Sequence, residues 1–140
     1  MSHFTNIQLQ FKNKALLLEA LVEMGWKREC IEVHDTPTHL YGYKGDVRKD
    51  KANIIIRKRY VGSISNDIGF IQNADGTFTA IISEYDAGYK NAGKYGDAWV
   101  GRLKQNYGIK EAERTLKLKG VPYTKTKLDN GTIRLIAIKR

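Results

Sequence analysis

The sequence predicts an α+β fold: a mainly antiparallel sheet with about three helices packed on one face, in a single domain over residues 1–140. Three observations predict it. Two turn dipeptides, Asp75-Gly76 and Asn130-Gly131, each lie between strand-like runs and mark tight hairpins. Apolar residues recur at helical spacing in an early stretch and again in a late one. Between those stretches strand-like runs follow one another with hairpin connections, which argues against a doubly wound parallel sheet.

Phe4 to Phe11 alternates, with Ile7, Leu9 and Phe11 on one face and Asn6, Gln8 and Gln10 on the other, the pattern of a half-buried strand. Asn13 suits an N-cap. Ala15 to Met24 reads as a helix whose buried face holds Leu17, Leu21 and Met24, widened by Leu18 and Val22. Gly25 ends it in the C′ position. Trp26 to His34 reads as a second strand, broken by Thr36 and Pro37, and isoleucine-rich Ala52 to Val61 as a third. Asp67 to Gln72 and Thr77 to Ser83 form a hairpin around Asn73-Ala74-Asp75-Gly76. Asp86 to Gly96 holds Gly88, Gly93 and Gly96 with Lys90 and Lys94, and is expected to be a loop, mobile until a partner orders it. Asp97 is the expected cap of a helix carrying Trp99, Leu103 and Tyr107. Gly108 is expected to interrupt it. A second helix then runs from Lys110 to Lys119, with Ala112 and Leu116 inward and Gly120 as its stop. Val121 to Lys127 and Thr132 to Lys139 close the chain as a hairpin.

The net charge of +9 is unevenly placed. Residues 44–59 carry seven basic and two acidic side chains, and residues 102–140 eleven and three; the remaining segments are net acidic. Two basic blocks point to a polyanion or an acidic protein surface as partner. A membrane-spanning protein is excluded, because no apolar run is longer than Ala15 to Leu18, which falls far short of the roughly 20 residues a spanning helix needs. Met1 to Gln10 lacks the basic start and apolar core of a secretion signal. The single Cys30 cannot form an internal disulfide and suits a reducing compartment.

No catalytic, cofactor-binding or metal-ligating residues are assigned. His34, Asp35 and His39 match no standard metal-ligand spacing, and Pro37 keeps them off one helix. Cys30 and His34 on one strand would stand roughly 13 Å apart, too far for a nucleophile and its base. Cys30 is therefore expected to be buried and inert. Asp75 and Asp97 are explained by a turn and a cap, which leaves Glu84 and Asp86 as the acidic pair beside the glycine loop. That loop is not a Walker loop, but its backbone N–H groups with Lys90 and Lys94 have the chemistry to receive a phosphate. A similar Gly-Tyr-Lys-Gly string occurs at Gly42 to Gly45, and tyrosines beside lysines suit unpaired bases and their phosphates. The candidate partner-binding or anion-binding residues are Lys44, Arg48, Lys49, Lys51, Arg57, Lys58 and Arg59 in the central block, with Tyr89, Lys90, Lys94 and Tyr95 in the loop.

Four segments carry a family resemblance: Met1-Ser2-His3-Phe4; Leu16 to Gly25; Asp67-Ile68-Gly69-Phe70 to Asn73-Ala74-Asp75-Gly76-Thr77-Phe78; and Gln105-Asn106-Tyr107-Gly108 to Lys119-Gly120. Together they resemble the conserved hypothetical chloroplast reading-frame family numbered thirty-five, found in algal plastids and cyanobacteria with relatives in other bacteria and some phages. The resemblance implies a stromal or cytoplasmic protein, with no activity, cofactor or site residue to carry over. The chain departs from the family pattern in its long basic segment Pro37 to Lys51 and its Gly-, Tyr- and Lys-rich loop. The reading that follows is a non-enzymatic binding or accessory protein with a basic surface. The alternative is a nucleic-acid-binding accessory protein, and third comes an enzyme acting on a phosphate-bearing small molecule at the glycine loop.

Overall fold

The computed structural model describes residues 3–138. Met1 and Ser2 of the family resemblance, and Lys139 at the end of the last expected strand, lie outside the described residues. The main sheet has five antiparallel strands: β1 (Phe4–Gln8), β2 (Ile31–Tyr41), β3 (Val47–Ile56), β4 (Ile68–Gln72) and β5 (Phe78–Ser83), in spatial order β1-β5-β4-β3-β2. A separate two-stranded sheet pairs β6 (Tyr123–Lys127) with β7 (Ile133–Ala137). Two helices, α1 (Lys14–Glu23) and α4 (Asp97–Leu118), cover one face of the main sheet. The other two helical segments, α2 (Lys58–Val61) and α3 (Glu84–Ala87), are single turns at strand ends. The expected α+β class, the antiparallel sheet and the helices on one face stand; the two late helices expected separately run together as α4.

The main core lies between that helix pair and the sheet. Leu16, Leu17, Ala20 and Leu21 of α1 meet Trp99, Val100, Leu103 and Tyr107 of α4 above Ile54, Phe70, Phe78 and Ile82. The buried stripe of α1 is thus turned slightly from the expected one, and Val22 stands 43% exposed. The Asn13 cap is present, its Oδ1 accepting the Leu16 N–H at 3.1 Å. Gly25 follows at φ +108, where a side chain would be strained. Regular β1 is shorter than the alternation suggested. Backbone bonds to Phe78 continue its pairing through Leu9 and Phe11, both buried. Phe11 stacks on Tyr107 at 4.0 Å between ring centroids, tying the β1–α1 connection to α4.

The structure corrects several expectations. β2 runs through Thr36 and Pro37 instead of breaking there, while Arg28–Cys30 is a 3₁₀ turn outside the strand. Pro37 is tolerated because β2 is an edge strand and the ladder is irregular between Val33 and Thr38. The Asn53 amide fills that irregularity by donating to the His34 carbonyl at 3.2 Å. β3 begins at Val47 and ends at Ile56, so the basic segment Pro37 to Lys51 is mostly a long hairpin. This hairpin folds over the second face of the sheet, where Leu40, Ala52, Ile55 and Ile81 form a smaller core. Gly69 permits the crossing: a Cβ there would meet the Ala52 Cβ at 2.7 Å and a Leu40 methyl at 2.9 Å. The hairpin reaches so far that the Arg48 guanidinium sits 5.3 Å from the Phe4 ring centroid, on the opposite edge strand.

α4 is one continuous helix across Gly108, because buried Tyr107 and Ile109 on either side hold it to the core. Its N-cap is Gly96, and Asp97 is the first helical residue, favourable beside the positive end of the helix dipole. Ala112 is exposed and Leu116 only half-buried, since the last turns of α4 extend past the sheet to carry β6 and β7. There Tyr123 donates its hydroxyl to Glu113 at 2.8 Å.

Candidate functional site

The central basic block occupies the β2–β3 hairpin and the turn after it. The hairpin tip is closed by the Gly42 N–H on the Asp46 carbonyl at 2.8 Å, with Gly45 at φ +79. Lys44, Val47, Lys49 and Lys51 are exposed there, as are Tyr41 and Tyr43. Arg48 is half-buried between Asp46, 3.7 Å away, and the Phe4 ring. Lys58 is half-buried at the start of α2, and Arg59 is exposed with its guanidinium 4.8 Å from the Tyr60 ring centroid.

Arg57 is not a free surface cation. Its Nε and Nη2 donate to the two carboxylate oxygens of Glu32 at 2.8 and 2.9 Å, and its Nη1 to Asp67 Oδ2 at 2.8 Å. Asp67 is fully buried and also accepts the Tyr41 N–H and the Lys58 N–H, each at 2.7 Å. Its two oxygens therefore bind β2 to the end of β3, which is why β3 stops at Ile56. The Arg57 hydrogen bonds, with that from His34, hold the Glu32 carboxyl below its ordinary range against the opposing effect of burial. Burial disfavours the Arg57 charge, but its hydrogen bonds to Glu32 and Asp67 outweigh that and raise its pKa.

The neighbouring Asn66 links two segments that look alike in sequence. Its Oδ1 accepts the Tyr43 N–H at 2.9 Å, and its Nδ2 donates to Ser83 Oγ at 2.9 Å. Its backbone N–H donates to Asp86 Oδ2 at 3.0 Å. Ser83 caps α3, donating to Asp86 Oδ2 at 2.8 Å and accepting the Asp86 N–H at 3.1 Å. The Gly42-Tyr43-Lys44-Gly45 tip is thereby joined through one side chain to the helical turn that leads into Gly88-Tyr89-Lys90.

The segment from Asp86 to Gly96 is wound and packed, contrary to the mobile loop expected of it. α3 is followed by a 3₁₀ turn, Tyr89–Asn91. The N–H groups of Gly88, Asn91, Ala92, Gly93, Tyr95 and Gly96 all donate to carbonyls between Glu84 and Gly93. These amides are therefore not open to cradle a phosphate. The glycines are required by close backbone approach: a Cβ on Gly93 would lie 2.8 Å from the Ala87 carbonyl oxygen, and one on Gly96 would collide with the Asn91 carbonyl. Tyr95 is a core residue, 5% exposed, with its ring edge-on to Trp99 at 5.4 Å. That removes Tyr95 from any contact surface. Tyr89, 85% exposed, and the exposed Lys90 and Lys94 do face solvent. Lys90 and Asn91 hold positive φ angles of 54° and 57°, so the fold fixes the direction in which this tip points.

Other expected groups fall apart in space. Glu84 is exposed while Asp86 is buried on its neutral donors, so the two do not act as a pair. His34 bonds Glu32 at 2.8 Å and His39 the Arg48 carbonyl at 2.7 Å. Cys30 is half-buried at the end of its 3₁₀ turn rather than inside the core. Among the described residues no three His, Cys, Asp or Glu side chains converge, and no helix is long and apolar enough to cross a membrane. The organising residues that sequence reasoning missed are Asn66 and Asp67. Their only local signal is a polar pair before an apolar strand, indistinguishable from a turn.

A family model described as a protein of unknown function (DUF1257) matches residues 20–136. No curated protein and no solved structure matches the chain.

Proposed function

The chain belongs to the DUF1257 family of proteins of unknown function, and from that premise we propose that it is a non-enzymatic accessory protein that holds a single-stranded nucleic acid on its basic hairpin face. We place its kin with the chloroplast reading-frame family and its working compartment in the stroma or cytoplasm, on the sequence segments quoted above.

One observation carries the reading. Lys44, Lys49, Lys51, Arg59, Lys90 and Lys94 have no acidic partner among the described residues, whereas Arg57 and Lys125 are held in ion pairs. Tyr43, Tyr60 and Tyr89, exposed by 42, 39 and 85%, adjoin three of these cations. Unpaired lysines beside exposed rings suit a flexible strand, with phosphates on the cations and bases on the rings. The contact residues of this proposal are Lys44, Lys49, Lys51, Arg59, Lys90 and Lys94 with Tyr43 and Tyr89, while Arg48 and Lys58 lie at its margin. The phosphate-substrate reading loses its support, because the glycine segment uses its own amides internally.

Fluorescence anisotropy of a labelled oligothymidylate with the full chain at low salt tests the proposal. Base–aromatic stacking contributes about 1–3 kcal/mol per base, so replacing Tyr43 and Tyr89 by alanine is expected to weaken binding at least tenfold. Absence of binding by the wild-type chain overturns the reading.

A further inference from the structure

The C-terminal hairpin is a second, independent surface, and it is built differently. Ile138 donates its N–H to the Pro122 carbonyl at 2.8 Å, and Leu128 its N–H to the Thr132 carbonyl at 2.7 Å. Hydrogen-bonded and open positions alternate along an antiparallel ladder. Thr124 opposite Ile136, and Thr126 opposite Arg134, therefore turn their backbone groups toward each other. Tyr123, Lys125 and Lys127 turn theirs outward, and no backbone group among the described residues meets them. β6 thus presents a free edge of N–H and C=O groups at every second residue.

Under the face of the hairpin that turns toward the helix pair lies a groove of about 470 Å³, lined among others by Glu23, Trp99, Arg102, Lys125, Lys127 and Ile133. Side chains of alternate strand residues share one face. Lys125 and Lys127 hence point to the same side, and Lys125 already meets Glu113 at 3.1 Å and Glu23 at 3.9 Å. Arg102 and Lys127 carry no acidic partner among the described residues. Residues 102–138 hold nine basic and only three acidic side chains. A second copy of β6 would set lysine against lysine, whereas an acidic strand would complement it.

We infer that the β6 edge accepts an extended acidic segment of a partner protein, which adds as a third strand and places alternate carboxylates against Lys127 and Arg102. Main-chain bonds to Tyr123, Lys125 and Lys127 supply the affinity common to strand addition, and the groove cations select the acidic side chains. The inference does not rest on the nucleic-acid reading, which uses other residues.

The probe is a labelled ten-residue peptide alternating glutamate and threonine, titrated into the full chain. It is compared with the same peptide N-methylated at alternate backbone amides, and with oligothymidylate as competitor. The expected result is binding of the first peptide with slowed hydrogen exchange at the Lys125 and Lys127 amides. N-methylation, which leaves the protein untouched, should weaken binding at least tenfold. The double variant Arg102→Glu with Lys127→Glu should do the same while oligothymidylate still binds as to wild type. Equal affinity for the N-methylated peptide, protection at residues 44–51 instead, displacement of the peptide by oligothymidylate, or no binding would each overturn the inference.

Discussion

Arg57 shows how a residue's surroundings redirect its chemistry. In the sequence it belongs to the most basic stretch of the chain; in the fold it neutralises a buried aspartate. Removing one partner of a buried ion pair costs about 3–5 kcal/mol, because the remaining charge stays desolvated. Arg57→Met is therefore expected to lower stability by that amount in urea unfolding, with Asp67 left fully buried. Lysine should not rescue it, since one ammonium cannot fork to both Glu32 oxygens and Asp67 together. The same cluster gives a pH dependence. The folded pKa of Glu32 is depressed, chiefly by the Arg57 hydrogen bonds. A depressed carboxyl contributes stability above its unfolded value, near 4.3 for glutamate, and loses it as pH falls through the folded value. Melting temperature should thus drop as pH falls below the unfolded value of about 4.3, and Glu32→Gln should flatten that part of the curve. The two tyrosines of the glycine segment divide in the same way. Tyr95→Ala is expected to cost about 3–5 kcal/mol, like other buried aromatic truncations. Tyr89→Ala should stay within about 0.5 kcal/mol, as befits an exposed ring.

Among the elements, what was legible in the sequence is what local chemistry decides. Asn13 caps α1 through its own side chain, and Gly76 and Gly131 close their hairpins at positive φ. What was not legible depends on neighbours distant in the chain. Pro37 breaks a strand unless that strand lies at a sheet edge, and edge position is a property of the whole topology. The glycines at 88, 93 and 96 read as flexibility, yet their small size allows backbone to pack on backbone. Gly96→Ala should therefore destabilise by about 1–3 kcal/mol, the usual effect of forcing extra volume into a packed region. Gly108 is the opposite case. It reads as a helix break, but a Cβ there would meet nothing within 4 Å. Its intrinsic penalty in a helix is about 1 kcal/mol relative to alanine. Gly108→Ala is expected to recover most of it, and a rise in melting temperature checks this.

Across the whole molecule, the basic side chains divide into charges the fold has already paired and charges it leaves open. Arg57, Lys110 and Lys125 meet carboxylates, whereas Lys44, Lys49, Lys51, Arg59, Lys90 and Lys94 meet none among the described residues. The first kind holds the scaffold; the second is the part assigned to the nucleic-acid partner. Both blocks were visible in the sequence, but this division was not, because it depends on which acids the topology brings near. The most direct test is the salt dependence of oligothymidylate binding. Each phosphate neutralised on a single strand contributes a slope of roughly −0.7 in log affinity against log salt. Contacts from the six open cations then give about −4, and replacing Lys44, Lys49, Lys51 and Lys90 by alanine should reduce the slope to about −1.4 without lowering the melting temperature. A salt-independent affinity, or a slope unchanged in that variant, would contradict the account.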